Sequence, residues 1–484
     1  MTAPHEEAHR WRALVVCLVA GGMCLLDVSI VNVALPSIRI GLSADDSDIQ
    51  WAVAGYSLAF GMALVPAGRI GDARTRRTVF LGGIAVFTAA SAACGAASGP
   101  LGLALARVVQ GIGGGLITPQ VSGFIQNMFR GQERGRAFGL FGATVGVSTA
   151  LGPLLGGLLI QLGGATDGWR LVFYVNVPVG LVVVALALRW MPLDRGSRSA
   201  SLDPVGILLF ASAVLLVLLP VVQGGQGQSL ADRPWWMVAV AAVVLGVFLA
   251  WEVLWTRRGH GTLVDLSLRR VPSYVFGVSL GTFYFAGFTA IFLILTLYLQ
   301  EGQGYSALEA GATQMSFAAG SAVSAFLAGR LVSRFGRKLV ITGLVVIGAS
   351  LVALDVVVPH LHGSIGAKIA PILFLAGAGG GMVISPNVTL SLEEVDPVRA
   401  GAGGGLLQTA QRVGSAVGVA VVLAQFFDRL ASTHGEFAEA FSVALHTTIA
   451  LVVIALVLAV ADQLRRTGGV GTGETDAQRR PSTQ

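Results

Sequence analysis

Apolar runs long enough to cross a bilayer, about 20 residues each, recur from one end of this 484-residue chain to the other, with short polar segments between them. Fourteen can be marked: 13–38, 49–67, 78–98, 101–127, 136–161, 171–191, 204–223, 235–254, 272–299, 306–329, 338–358, 367–391, 401–427 and 440–462. The pattern predicts an all-α polytopic membrane protein. Residues 1–12 are polar and contain no cleavable-signal pattern, and no small-residue cleavage site precedes the next loop. The first run is therefore expected to stay as a spanning helix. At the far end, residues 463–484 read as a disordered tail, because from Thr467 they are rich in Gly, Thr, Arg and Glu.

Composition supports the pattern. Charged residues are 12% of the chain and apolar ones 54%, whereas a soluble domain carries about 25% charged residues. The net charge of +6 gives no reason to expect nucleic acid, because basic residues in a membrane protein report which loops face the cytoplasm. With both termini inside, 25 of the 32 Lys and Arg fall in inside segments or at the helix edges beside them, 5 in or beside outside loops, and 2, Arg107 and Arg412, deep within helices. The inverse orientation breaks the rule almost everywhere, so a cell-membrane protein with cytoplasmic termini is expected. Cys17, Cys24 and Cys94 sit in apolar runs without ligand or disulfide spacing and read as small core residues. His360 and His362, lacking a carboxylate cluster, do not make a metal site.

A repeat divides the chain. AGRIGDARTRRTV at 67–79 returns as AGRLVSRFGRKLV at 328–340, an offset of 261 residues, and GIGGGLITP at 111–119 is echoed by GAGGGMVISP at 377–386. Each loop copy follows the second helix of a set of six. Repeated bundles with a site between them at mid-membrane are transporter architecture. The expected domains are a cytoplasmic tail at 1–12, a six-helix bundle at 13–191, two inserted helices with flanking loops at 192–271, a second six-helix bundle at 272–462, and the tail at 463–484. Ser333 stands where the first loop has Asp72, and Leu373 about where Arg107 stands. The second bundle is therefore expected to lack its copy of these charges.

Several motifs occur in a recognisable order. The first helix reads LDVSIVNVALP with Asp27, Asn32 and Pro36; the loop after the second holds Gly68, Asp72, Arg76 and Arg77. The fourth helix reads RVVQGIGGG with Arg107, Gln110, Gly111 and Gly113, and the fifth carries Gly139, Gly152, Pro153, Gly156 and Gly157. GWRLVFYVNVPVG (168–180) and LYLQEGQGYSALEAG (297–311) follow. Over nearly all of 13–462 the chain resembles the major facilitator superfamily, specifically its fourteen-helix drug:proton antiporter branch. Thr75 and Ser148 depart from that pattern, each replacing a glycine. The resemblance implies a major facilitator fold of two six-helix bundles with two extra central helices. It also implies a cytoplasmic gate at Gly68, Asp72, Arg76 and Arg77, and a fifth-helix antiporter motif that seals the seam between bundles.

Asp27 is the residue the apolar pattern explains least. A charge at membrane depth costs about 2.5–3.5 kcal/mol on insertion scales and faces a cavity or a partner. At about 1.5 Å per residue, Asp27 and Arg107 reach the same depth from opposite ends of their helices. They can meet directly or through Gln110 or water. The pair either fixes packing as a static ion pair or changes protonation beside a wet cavity; the second is the expectation. The charges of the 68–77 loop, including Arg69 and Arg74, suit gating rather than substrate contact, although cytoplasmic loops are basic anyway. The helix-5 glycines fit plain packing as well as a sliding seam.

Asn32, Trp51, Tyr56, Gln110, Phe285, Phe288 and Arg412 are candidates for a pocket that takes flat hydrophobic compounds. Against this, aromatic residues near helix ends are commonly interfacial anchors, and central ones are commonly core. The sequence has no GxxxxGK[ST] phosphate loop, and its only lysines are Lys338 and Lys368. No cofactor is therefore expected, and the proton gradient is the expected energy source. The expected function is not enzymatic. It is proton-driven export of lipophilic or amphipathic small molecules by a monomer in the bilayer, with no nucleic-acid partner. Two alternatives stand beside it: a dedicated exporter of one self-made antibiotic or metabolite, and, more remotely, a non-transporting receptor on the same fold.

Overall fold

The computed structural model describes residues 4–192, 203–222, 234–258, 266–361, 363–396 and 400–477. Among them fourteen α-helices follow in order: α1 (Pro4–Leu42), α2 (Asp46–Ala73), α3 (Arg76–Gly95), α4 (Pro100–Met128), α5 (Gly131–Tyr174), α6 (Asn176–Trp190), α7 (Pro204–Val222), α8 (Trp236–Arg257), α9 (Pro272–Leu297), α10 (Ala307–Phe335), α11 (Arg337–Val357), α12 (Ile365–Ser391), α13 (Ala400–Ser432) and α14 (Phe437–Ala477). Helices are what an apolar solvent demands, since every backbone N–H and C=O must then find its partner within the segment. Twelve stretches are long and apolar enough to cross a membrane, and the bent pair Gly131–Thr149 and Leu154–Gly164 makes a thirteenth. The apolar part of α7, Pro204–Pro220, is shorter.

The bend in α5 is 40° and coincides with Pro153, which has no N–H to give the helical ladder. At Gly164 the backbone turns to φ +83°, a left-handed value that costs glycine little. The next crossing then begins at Thr166, ahead of the expected 171. Two ends also differ from expectation. Helix α1 starts at Pro4, within the segment read as a tail. Helix α14 continues to Ala477, so the tail from 463 is helical that far rather than disordered. No proline interrupts the ladder before Pro481, and Arg466 reaches back one turn to Asp462 at 3.5 Å. Residues 478–484 lie outside those described.

Two cores hold the molecule. Phe60, Phe80, Phe87, Ile117 and Phe124 anchor the one formed by α1–α6, while Leu280, Phe317, Ile347, Leu351 and Phe441 anchor that of α9–α14. The inserted α7 and α8 add a smaller cluster, with Phe210 and Phe248 packed beside Leu58 and Val65 of α2. Asp203, buried at the start of α7, accepts a bond from the Trp251 indole N–H of α8 at 2.8 Å. Cys17, Cys24 and Cys94 are buried free thiols.

The second bundle did keep a charge pair. Arg337 lies 261 residues after Arg76, at the same place in the repeat. Ser333 supplies no carboxylate, and Asp462 of α14 does instead. The pair is fully buried, Nε to Oδ2 at 2.6 Å, and Arg337 also donates to the Asn387 side chain at 2.7 Å. The expectation of lost charges is corrected to that extent. Removing one member of a buried pair costs about 3–5 kcal/mol. The half-exposed Arg429–Glu439 pair, at 2.7 Å, is worth less than about 1 kcal/mol. Asp462→Asn is thus expected to lower the thermal midpoint of the purified protein clearly, and Glu439→Gln to leave it nearly unchanged.

Candidate functional site

Five helices converge on one carboxylate. Asp27 of α1 is 0% exposed and Arg107 of α4 is 2% exposed. The guanidinium Nη1 donates to Asp27 Oδ2 at 2.6 Å. The other carboxylate oxygen accepts from the side-chain amides of Gln110 and Asn176, both at 2.8 Å. Arg107 Nε donates to the Ala52 carbonyl of α2 at 3.0 Å, and Nη1 also donates to Gln110 Oε1 at 2.7 Å. Ser91 of α3 takes the Gln110 amide at 2.7 Å. Tyr56 closes the cluster, its ring centre 4.2 Å below the guanidinium carbon.

The arrangement settles where the carboxylate sits. It meets Arg107 directly, as the matched depths suggested, but it does not face a wet cavity; it is sealed inside the first bundle. Asn176 and Ser91 were missed by the sequence reading. Asn176 lies within GWRLVFYVNVPVG, where an amide in an apolar stretch was the available signal. It also lines a groove of about 280 Å³ between α1, α5 and α6, together with Met23, Leu26, Ser148, Leu151 and Val179. Asn176 therefore links the sealed carboxylate to a side opening of the bundle.

The 68–77 loop forms a second cluster. Asp72 and Arg76 pair at 2.6 Å, both buried, and Arg76 Nη1 donates to the Gly123 carbonyl of α4 at 2.9 Å. Arg77 holds the Leu188 carbonyl of α6, and Gly68 is buried. These contacts stay within the first bundle. Among the bonds that cross to the second, two come from α4 close to Gly123. Ser122 accepts from Gln408 of α13 at 3.1 Å, and Gln126 donates to the Leu392 carbonyl at the end of α12 at 3.0 Å.

At the same end of the molecule the bundles touch backbone to backbone. A Cβ on Gly139 would lie 2.9 Å from both the Ala325 carbonyl oxygen and the Gly329 Cα of α10, and one on Gly405 of α13 would lie 2.7 Å from the Leu64 carbonyl of α2. The fifth-helix motif therefore divides. Gly139 faces the other bundle, whereas Gly152 and Gly156 pack on Ser29 and Ile30 of α1, and Gly157 has open space beside it. For these last three the seam reading is corrected: two are packing residues of the first bundle, and one packs on nothing.

The pocket candidates scatter. Tyr56 and Gln110 belong to the Asp27 cluster. Trp51 is 44% exposed. Phe288 is buried among Tyr284, Phe292 and Phe317, and Phe285 lies at that cluster's edge. Arg412 sits between the bundles with its guanidinium carbon 4.6 Å from the Phe60 ring centre. The side chains of Asn32 and Pro153 lie outside those described, as does His362. Among the described residues no group of three His, Cys, Asp or Glu side chains could hold a metal ion.

The family model described as Major Facilitator Superfamily matches residues 17–419. The chain belongs to the major facilitator superfamily. It is a membrane transporter, not an enzyme. This superfamily member is 38% identical over 437 residues to the probable actinorhodin transporter of Streptomyces coelicolor, covering 89% of this chain and 74% of that protein. It is 31% identical over 452 residues to the multidrug resistance protein Stp of Mycobacterium tuberculosis, covering 91% and 82%. The proton:xylose symporter XylE shares its fold, with a TM-score of 0.64 over 93% of this chain and 95% of that one, at 15% identity.

Proposed function

We propose that this transporter exports lipophilic or amphipathic small molecules, antibiotics among them, in exchange for protons. The observation that carries the reading is Asp27, a membrane-depth carboxylate with neutral amides and one arginine around it. Protonation of Asp27 removes the charge that Arg107 is paired with, and Arg107 stacks on Tyr56 of α2. Coupling then runs through the helices rather than through direct competition for the carboxylate. The positive-inside rule assigns the end with loops 68–77 and 328–340 to the cytoplasm. The seam contacts at Gly139, Gly405, Ser122 and Gln126 lie at that end, which fits an outward-facing state closed on the cytoplasmic side, with the 68–77 loop bracing α4 behind the seam.

In inside-out vesicles with an acid interior, a panel of lipophilic dyes and antibiotics is expected to release protons on addition. If no compound does so, while vesicles without the protein behave identically, the coupling mechanism is wrong. A second reading, export of a single antibiotic or metabolite, is favoured by the likeness to the actinorhodin transporter. It predicts release by one chemical family of the panel alone.

The gate makes its own prediction. A net hydrogen bond contributes about 1 kcal/mol, about a fivefold change in an equilibrium. Gln126→Ala is expected to raise hydrogen–deuterium exchange at the α12–α13 connection by about that factor, with the α1–α3 amides unaffected.

A further inference from the structure

Arg412 is a cation without an obvious purpose. It lies on α13, 12 residues or about 18 Å from the start of that helix. Its ring contact, Phe60, lies 13 residues or about 20 Å from the end of α2. The two meet near mid-membrane, one from each bundle, on the seam that a transported molecule must pass. Arg412 is partly exposed there.

A charge at that depth costs about 2.5–3.5 kcal/mol on insertion scales, and buried charges are found paired. Among the described residues no carboxylate reaches Arg412, and the carboxylate nearest in role, Asp27, has both oxygens taken by Arg107, Gln110 and Asn176. The face of Phe60 returns about 0.5–2 kcal/mol, less than the cost. Two buried rings back the guanidinium on the side of the first bundle. Tyr56 and Phe60 lie 5.8 Å apart, with Arg107 on the first ring and Arg412 on the second. On the second bundle the hydroxyls of Ser415 and Thr289 meet at 2.8 Å, one turn along α13 from Arg412.

We propose that Arg412 binds the anionic group of the exported molecule, so that the favoured substrates are amphipathic aromatic acids, bearing a carboxylate or an ionised phenol on a planar ring system. This refines the substrate class of the export reading and rests on it. The energetics are consistent. One proton in and one monoanion out move two positive charges inward, and the membrane potential favours each by about 2.3 kcal/mol per 100 mV. Export of a cation by the same exchange would gain nothing from the potential.

The test uses the purified full-length protein with anthracene-9-carboxylate and its methyl ester, which share a ring system and differ in charge. Binding is read by fluorescence polarisation for wild type, Arg412→Gln and Arg412→Lys. Wild type is expected to bind the acid at least about tenfold more tightly than the ester. Arg412→Gln should lose that preference while binding the ester unchanged, which also reports that it folds, and Arg412→Lys should keep part of the preference. An acid bound no better than the ester, or loss of both ligands alike in Arg412→Gln, overturns the assignment. Flux assays in proteoliposomes separate it from the export reading. Acid bound at Arg412 but not moved by a pH gradient would sink export and leave the anion site. Neutral and anionic compounds exported equally by wild type and Arg412→Gln would do the reverse.

Discussion

Asp27→Asn is expected to reduce compound-induced proton release to the background of vesicles without the protein. Asparagine nearly matches aspartate in volume and can still accept from Gln110 or Asn176, so the cluster keeps its shape. It cannot take up and give back a proton. The same change leaves Arg107 a buried cation without its counter-charge, at 2% exposure. Breaking a buried pair in this way costs about 3–5 kcal/mol, so the thermal midpoint should fall as well. The two effects can be separated. Asp27→Asn with Arg107→Gln removes both charges and should recover part of the lost stability, because contacting residues couple by about 0.5–3 kcal/mol in a double-mutant cycle. Proton release should not recover. Export that remained coupled in either variant would rule Asp27 out as the proton carrier.

The second large effect is expected at Gly139. The site opposite its hydrogen atom is backbone, the Ala325 carbonyl and Gly329 Cα, each 2.9 Å from where a Cβ would sit. No side chain can swing away there, so Gly139→Leu must push α5 from α10. Overpacking of this kind costs about 1–3 kcal/mol, and that cost falls on the closed seam alone. It should shift the population away from the closed state by about 5–150-fold. Spin labels near the start of α5 and the end of α10 should report longer distances, and export should fall while the thermal midpoint holds. Gly157→Leu, with open space beside it, is the matched control and should change neither.

These contrasts mark what the sequence could say. Hydropathy located all fourteen helices, but only twelve stretches, or thirteen with the bent α5, are long and apolar enough to cross a membrane, and the apolar part of α7 falls short. Depth arithmetic was enough to bring Asp27 to Arg107, since helical rise is fixed. It could not supply Asn176, which reaches Asp27 across 149 positions of chain and looked like part of an apolar signature. Nor could the repeat reveal Asp462. Aligning 67–79 with 328–340 compares positions in sequence, and the second bundle replaced the missing carboxylate from a helix 125 residues away. The helix-5 glycines were legible as small residues. Which of them meets α10 and which meets α1 depends on the bend at Pro153, and composition does not carry that angle.

The division of labour between ionic and neutral contacts sets an energy scale for the gate. Asp72–Arg76 and Arg337–Asp462 are ion pairs within a bundle, while Ser122–Gln408 and Gln126–Leu392 cross the seam as neutral hydrogen bonds. Two such bonds together hold about 1–3 kcal/mol. One proton falling through one pH unit releases about 1.4 kcal/mol, and a 100 mV potential adds about 2.3 kcal/mol. A single proton therefore carries enough work to part these two bonds, and far too little to dismantle either bundle. The lock is weak where it must open once per cycle and strong where it must never open.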